Sequence, residues 1–215
     1  MKLWTSALAL LTVVAMASWA QAEEYYVSAA KGKGKKGSKE EPVRDLGIIA
    51  DTLKAGDVVH IAAGTYYGKA EAGCTKIAVP VKIYGGYNDD FTKRDPWGEF
   101  KTILTGKSQS ENFDSGPRLE VGSRKFREPK SEIVIDGIIV DNGERNGYTD
   151  DKTLKISRKY QPKTKVNAAP DSPGISIDAP EGCVVTVENC VAMNCAPHHK
   201  TGAIKVYGGK STKVT

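Results

Sequence analysis

The sequence predicts an all-β chain wound as a right-handed parallel β-helix, a solenoid with a short N-terminal capping helix. Three observations predict it. A short Val- and Ile-rich strand ending in Gly or a turn recurs along the whole chain. Its copies lie roughly 20 to 30 residues apart, the spacing of a coil rather than of a hairpin. Only one segment, near the start, has a helical period.

Tyr25-Tyr26-Val27 reads as a first strand, followed by a loop crowded with Lys31, Lys33, Lys35, Lys36 and Lys39. Pro42 then opens the expected helix, about 42–54, with Gly56 as its stop. Leu46, Ile49, Ala50 and Leu53 recur at helical spacing and give it one apolar stripe. Such a helix would cover the exposed core and unpaired backbone of the first coil. The stretch Val58-Val59-His60-Ile61, leading to Gly64-Thr65-Tyr66, is the first full coil. The pattern returns at Val81–Gly86, Thr102–Gly106, Ile133–Gly137, Gly174–Asp178, Val184–Val187 and Ala203–Gly209. In Ile133–Gly143 the alternation turns Ile133, Ile135, Ile138 and Val140 inward, with bends at Asp136-Gly137 and Asp141-Asn142-Gly143. Asn189 is placed to bond its own turn or stack on a neighbouring coil. An antiparallel sandwich would need tight hairpins and strands every 8 to 12 residues or so, which this spacing lacks. Right-handed winding follows from the rule for parallel crossovers.

Polar stretches at about 107–130 and 144–173 interrupt the rhythm and are expected as long loops that either wall a groove or simply decorate the coil. The final residues, Lys210 to Thr215, read as another strand beginning, so the chain is expected to be the N-terminal part of a longer solenoid or one covered by another chain.

Residues 1–22 have a basic start, an apolar run and an Ala20-Gln21-Ala22 site, the pattern of a signal peptide. Residues 23–215 are then one exported domain, secreted, periplasmic or at the cell surface, with no further membrane span. The net charge is +5. Its clusters, including Lys152, Lys155, Arg158 and Lys159, suit either solvated loops or attraction to an acidic polysaccharide or cell-surface glycan. No nucleic-acid-binding signature is present. Cys74, Cys183, Cys190 and Cys195 permit disulfides in an oxidising compartment, in any of three full pairings, or serve as small core residues. Cys190, Cys195, His198 and His199 match no standard zinc spacing.

The run from Tyr26-Val27-Ser28 through Glu41-Pro42 to Ala55–Ile61 and Gly64-Thr65-Tyr66 resembles the opening of secreted parallel β-helix proteins of the pectate-lyase-like superfamily. Tyr84-Gly85-Gly86-Tyr87-Asn88, Arg94-Asp95 and Thr102–Gly106 extend that resemblance, as do Ile135–Ile138 and Gly202–Ile204, so it spans nearly all of the mature chain. It implies the fold strongly and the activity weakly, since such proteins include polysaccharide lyases, glycoside hydrolases and non-catalytic surface proteins. The lysines at 31–39 replace the acidic turn that relatives often carry, which argues against calcium there.

Catalytic candidates are sparse. A lyase needs a base and a cationic partner for a uronic carboxylate; a hydrolase needs converging carboxylates. Asp136, Asp141 and Asp178 sit where turns also favour Asp. Asp89 and Asp90 could hold calcium, although an exposed acidic turn explains them more simply; no other cofactor is evident. His198 and His199, and Lys82 or Lys205 as bases, complete the set. The sequence therefore favours a non-catalytic surface, adhesion or carbohydrate-binding module. The alternative is a polysaccharide lyase or glycoside hydrolase acting on an acidic polysaccharide, its catalytic residues mostly outside this chain.

Overall fold

A computed structural model describes residues 22–68, 74–106, 117–126, 130–142, 174–195 and 203–215. Most of the expected signal peptide, the 144–173 loop with Lys152, Lys155, Arg158 and Lys159, and the pair His198-His199 lie outside the described residues.

A first strand, β1 (Glu24–Val27), precedes strands that repeat in groups of three. The groups are β2 (Val58–Ala62), β3 (Gly64–Tyr66) and β4 (Thr75–Ile77), then β5 (Lys82–Tyr87), β6 (Thr102–Leu104) and β7 (Leu119–Val121). They continue as β8 (Glu132–Asp136), β9 (Ile138–Asp141) and β10 (Ile175–Ala179), then β11 (Val184–Glu188), β12 (Val191–Met193) and β13 (Ile204–Gly208), before β14 (Lys213–Val214). From β2 onward each strand pairs in parallel with the strand three places later. The described residues thus form three parallel sheets: β1-β2-β5-β8-β11-β14, β3-β6-β9-β12 and β4-β7-β10-β13. The chain visits the three in rotation, an arrangement compatible with a parallel β-helix.

Alternation explains the core. In the six-stranded sheet Val59, Ile83 and Ile135 stand in register on adjacent strands and are fully buried. Leu119 and Ile175, and Val121 and Ile177, do the same in the third sheet. Fully burying each such side chain contributes about 1.5–3 kcal/mol before chain entropy is counted. Several polar residues are buried with this core, and Thr102 has a clear task there. Ladder pairing slips between His60 and Ala62. There the buried Thr102 hydroxyl accepts from the Gly86 N–H (2.9 Å) and donates to the Ala62 carbonyl (3.0 Å), satisfying groups that the slip strands.

The expected helix over 42–54 is replaced by a 3₁₀ turn at Leu46–Ile48 and further turns. The edge of β1 explains the difference. Val43 is extended and bridges Val27 in parallel; its N–H donates to the Tyr26 carbonyl (3.0 Å), and its carbonyl accepts from Ser28 (2.9 Å). Helix can start only after Asp45, whose side chain caps Gly47. The Thr52 N–H then bonds back three residues to Ile49, tightening the winding. The apolar stripe is still buried: Leu46, Ile49 and Leu53 join the core. A segment expected inside the 107–130 loop also differs. Leu119 and Val121 are completely buried in β7, because the third sheet supplies partners on both sides of a three-residue strand that sequence alone marks weakly.

Burial falls along the chain, and Met193, Ile204 and Val214 are exposed. Among the described residues no helix is long and apolar enough to cross a membrane.

Ile135→Ala removes a buried side chain from the middle of the longest column and is expected to cost about 2–5 kcal/mol. Val214→Ala, on an exposed position, should stay within about 0.5 kcal/mol. Urea unfolding of the two variants checks the pair.

Candidate functional site

The alternation that turns Val59 and Ile83 inward turns their neighbours outward. Tyr26, His60, Tyr84, Asp136 and Glu188 occupy one register position on five adjacent strands of the six-stranded sheet. The first three form a ring stack: His60 lies 5.0 Å from Tyr26 and 6.2 Å from Tyr84, each at 22°. Stacking along the sheet leaves ring edges, rather than faces, toward solvent.

Glu24 orders the start of the column. Its carboxylate accepts from the Tyr26 hydroxyl at 2.6 Å. Burial, aided by that bond, pushes the Tyr26 phenol up to about 12. His60 Nε2 stops 3.6 Å from the same carboxylate, beyond hydrogen-bonding distance. Burial holds the imidazole below its ordinary value despite Glu24, so His60 is neutral near pH 7.

The segment after β5 folds back over this sheet. Asn88 Oδ1 accepts from Thr92 and Lys93 and shapes the turn. Phe91 packs edge-on against Tyr26. Arg94 returns to the column, its Nε donating to the Gly85 carbonyl (2.8 Å) and a terminal nitrogen reaching Asp136 (2.8 Å). Its guanidinium lies 5.7 Å from the Tyr84 ring centre and 5.8 Å from that of Tyr87. Asp136 also accepts from Asn189 Nδ2 at 2.8 Å, and Asn189 Oδ1 accepts from the Trp97 indole at 2.9 Å. One hydrogen bond therefore ties Trp97 to a residue 92 positions away, while the residue stays 60% exposed.

The sequence candidates fare differently. Asp136 is committed to Arg94 and Asn189, and Asp141 accepts from Asn194 at 2.7 Å. Asp178 pairs with Arg124 at 2.5 Å. Lys82 pairs with Glu132 at 2.6 Å, which raises its pKa and opposes service as a base. Lys205 Nζ sits 4.0 Å from the Tyr207 ring centre. Asp90 pairs with Lys31 and Asp89 accepts from the Ser28 hydroxyl, so a cation at Asp89-Asp90 would face an ammonium already in place. Among the described residues no group of three or more His, Cys, Asp and Glu converges as a metal site.

None of the four cysteines is in a disulfide. Cys183 is buried in the core, and burial raises the thiol pKa of Cys183, Cys190 and Cys195. A raised pKa disfavours the reactive thiolate in these three.

Compared with protein families, curated proteins and solved structures, the chain matches none.

Sequence reasoning missed Tyr26, His60, Tyr84, Arg94 and Trp97 as a group. The signal was available in part: the three rings follow inward Tyr25, Val59 and Ile83 at one strand position each. Trp97 left no such trace, because a contact across 92 residues has no local pattern.

His60 makes stability depend on pH. Its folded pKa lies below the unfolded one, so the unfolded chain takes up the proton first as pH falls. The contribution is intact above the unfolded value near 6.5 and is lost as pH drops through that value toward the folded one. Urea midpoints measured from pH 8 to pH 5 should decline, and His60→Phe should flatten that part of the decline. Arg94→Ala, which leaves a largely buried Asp136 oxygen short of a donor, should cost about 1–3 kcal/mol in the same assay.

Proposed function

We propose that this chain is an exported right-handed parallel β-helix protein of the pectate-lyase-like kind, acting as a non-catalytic module that binds a cell-surface or acidic glycan. The binding face is the outer side of the six-stranded sheet. The observation that carries this reading is Trp97, a residue 60% exposed whose indole N–H is held by Asn189. An aromatic ring immobilised before binding loses little entropy when a sugar ring stacks on it. The same hydrogen-bonded chain includes the Arg94 guanidinium and the Asn189 amide, whose N–H groups beyond those used internally suit sugar hydroxyls or a carboxylate.

What supports binding over catalysis is the state of the titratable groups. Lys82 is held protonated by Glu132, and Asp136 is occupied by two donors. A lysine so held is a poor proton acceptor at neutral pH.

Retention on immobilised polygalacturonate, alginate and chondroitin tests the proposal. Trp97→Ala should weaken binding to the retained polymer about tenfold, or ~1.4 kcal/mol. Equal retention of this variant, or no retention on any polymer, would defeat the reading. Release of unsaturated sugar product would replace it with a lyase.

A further inference from the structure

A hollow of about 590 Å³ opens between the 28–42 loop and the turn that follows β5. Lys31, Lys33, Lys39, Glu40, Asp89 and Asp90 line it, above a floor of Ala30 and Pro42. Three lysines and three acidic residues thus share its lining, and the balance of charge selects the ligand. A bare anion meets the carboxylates and a bare cation meets the lysines. A molecule that carries both charges a few ångströms apart meets a partner for each.

The lysine loop is built rather than loose. Gly32 donates to the Ser28 carbonyl (2.8 Å), and Lys33 and Gly34 both donate to the Pro42 carbonyl (3.0 Å each). Two glycines permit this fold. A Cβ on Gly34 would meet the Glu41 carbonyl oxygen at 2.1 Å, and one on Gly32 the Arg44 Cα at 2.3 Å. The lysines therefore leave a fixed backbone, which lowers the ordering cost of binding. Asp89 on the opposite wall is steadied by Ser28 at 3.0 Å.

Among the described residues one ion pair closes the hollow, Lys31 with Asp90, and both side chains are more than half exposed. Exposed pairs of this kind contribute about 0–1 kcal/mol, so a ligand can replace it at little cost. Lys33 and Lys39 have no carboxylate partner among the described residues.

We propose that this hollow binds a small zwitterion, with an α-amino acid as the simplest case. The ligand carboxylate lies against Lys33 and Lys39, its ammonium against Glu40 and Asp89, and its carbon skeleton over Ala30 and Pro42. The hollow borders the glycan face, with Lys39 Nζ 6.0 Å from the Tyr26 ring centre, but the assignment does not rest on the glycan reading.

Titration of the full chain with glycine, diglycine, acetate and methylammonium, followed by the amide resonances of Gly32 and Gly34, tests the assignment. Glycine or diglycine should bind roughly tenfold more tightly than either singly charged probe. The double variant Lys33→Ala/Lys39→Ala and the variant Glu40→Gln should each lose that preference while melting as the parent does. Acetate binding as well as the zwitterions would make this an anion site and overturn the proposal. Absence of any shift with all four probes would overturn it too, as would a preference unchanged in both variants. Retention on glycan polymers is read separately and is expected to be unaffected by the zwitterions.

Discussion

Parallel stacking in register is the constraint on which the rest of the molecule depends. When each strand pairs with the strand three places later, every side chain has a neighbour of the same facing directly above and below it. A slip of one residue would exchange inside for outside over a whole strand. The buried Val59, Ile83 and Ile135 column makes that slip costly, and the Leu119–Ile175 column repeats the penalty in another sheet. Where the ladder does shift, beside Ala62, a threonine inside the core supplies the missing bonds.

The outer face inherits its order from that core. Tyr26, His60 and Tyr84 stack because their inward neighbours fix the register, and nothing on the surface has to align them. Arg94 and Trp97 differ in kind. They arrive from outside the repeat and are held by Gly85, Asp136 and Asn189, groups that the repeat has already placed. A regular scaffold thus presents an irregular, chemically mixed strip without distorting itself.

Much of this fold could be read from the residues and little of the strip could. Strands such as Ile133–Asp136 and Ile175–Ala179 announce themselves through alternation between flanking turns. The expected helix over 42–54 rests on the helical spacing of Leu46, Ile49, Ala50 and Leu53, while the pull of an open strand edge on Val43 is a tertiary effect that no local spacing shows. Leu119–Val121 leaves no trace for a related reason: three residues are too few to display a period. Spacing located Asp136 and Asn189 as turn residues, yet their mutual bond and their link to Arg94 and Trp97 depend on which coils become neighbours.

The bonds at two corners carry one more consequence. Asn189 and Asn194, both with positive φ, give their amides to Asp136 and Asp141, and both pairs are separated by 53 residues. One arc of the winding is therefore of equal length in the third and fourth turns of the chain. The difference in length falls elsewhere, chiefly between the second sheet and the third: Tyr66 to Thr75 in one turn, Asp141 to Ile175 in another. That corner is the natural port for change. New sequence can enter there, by evolution or by grafting, while the stacked columns on either side keep their places.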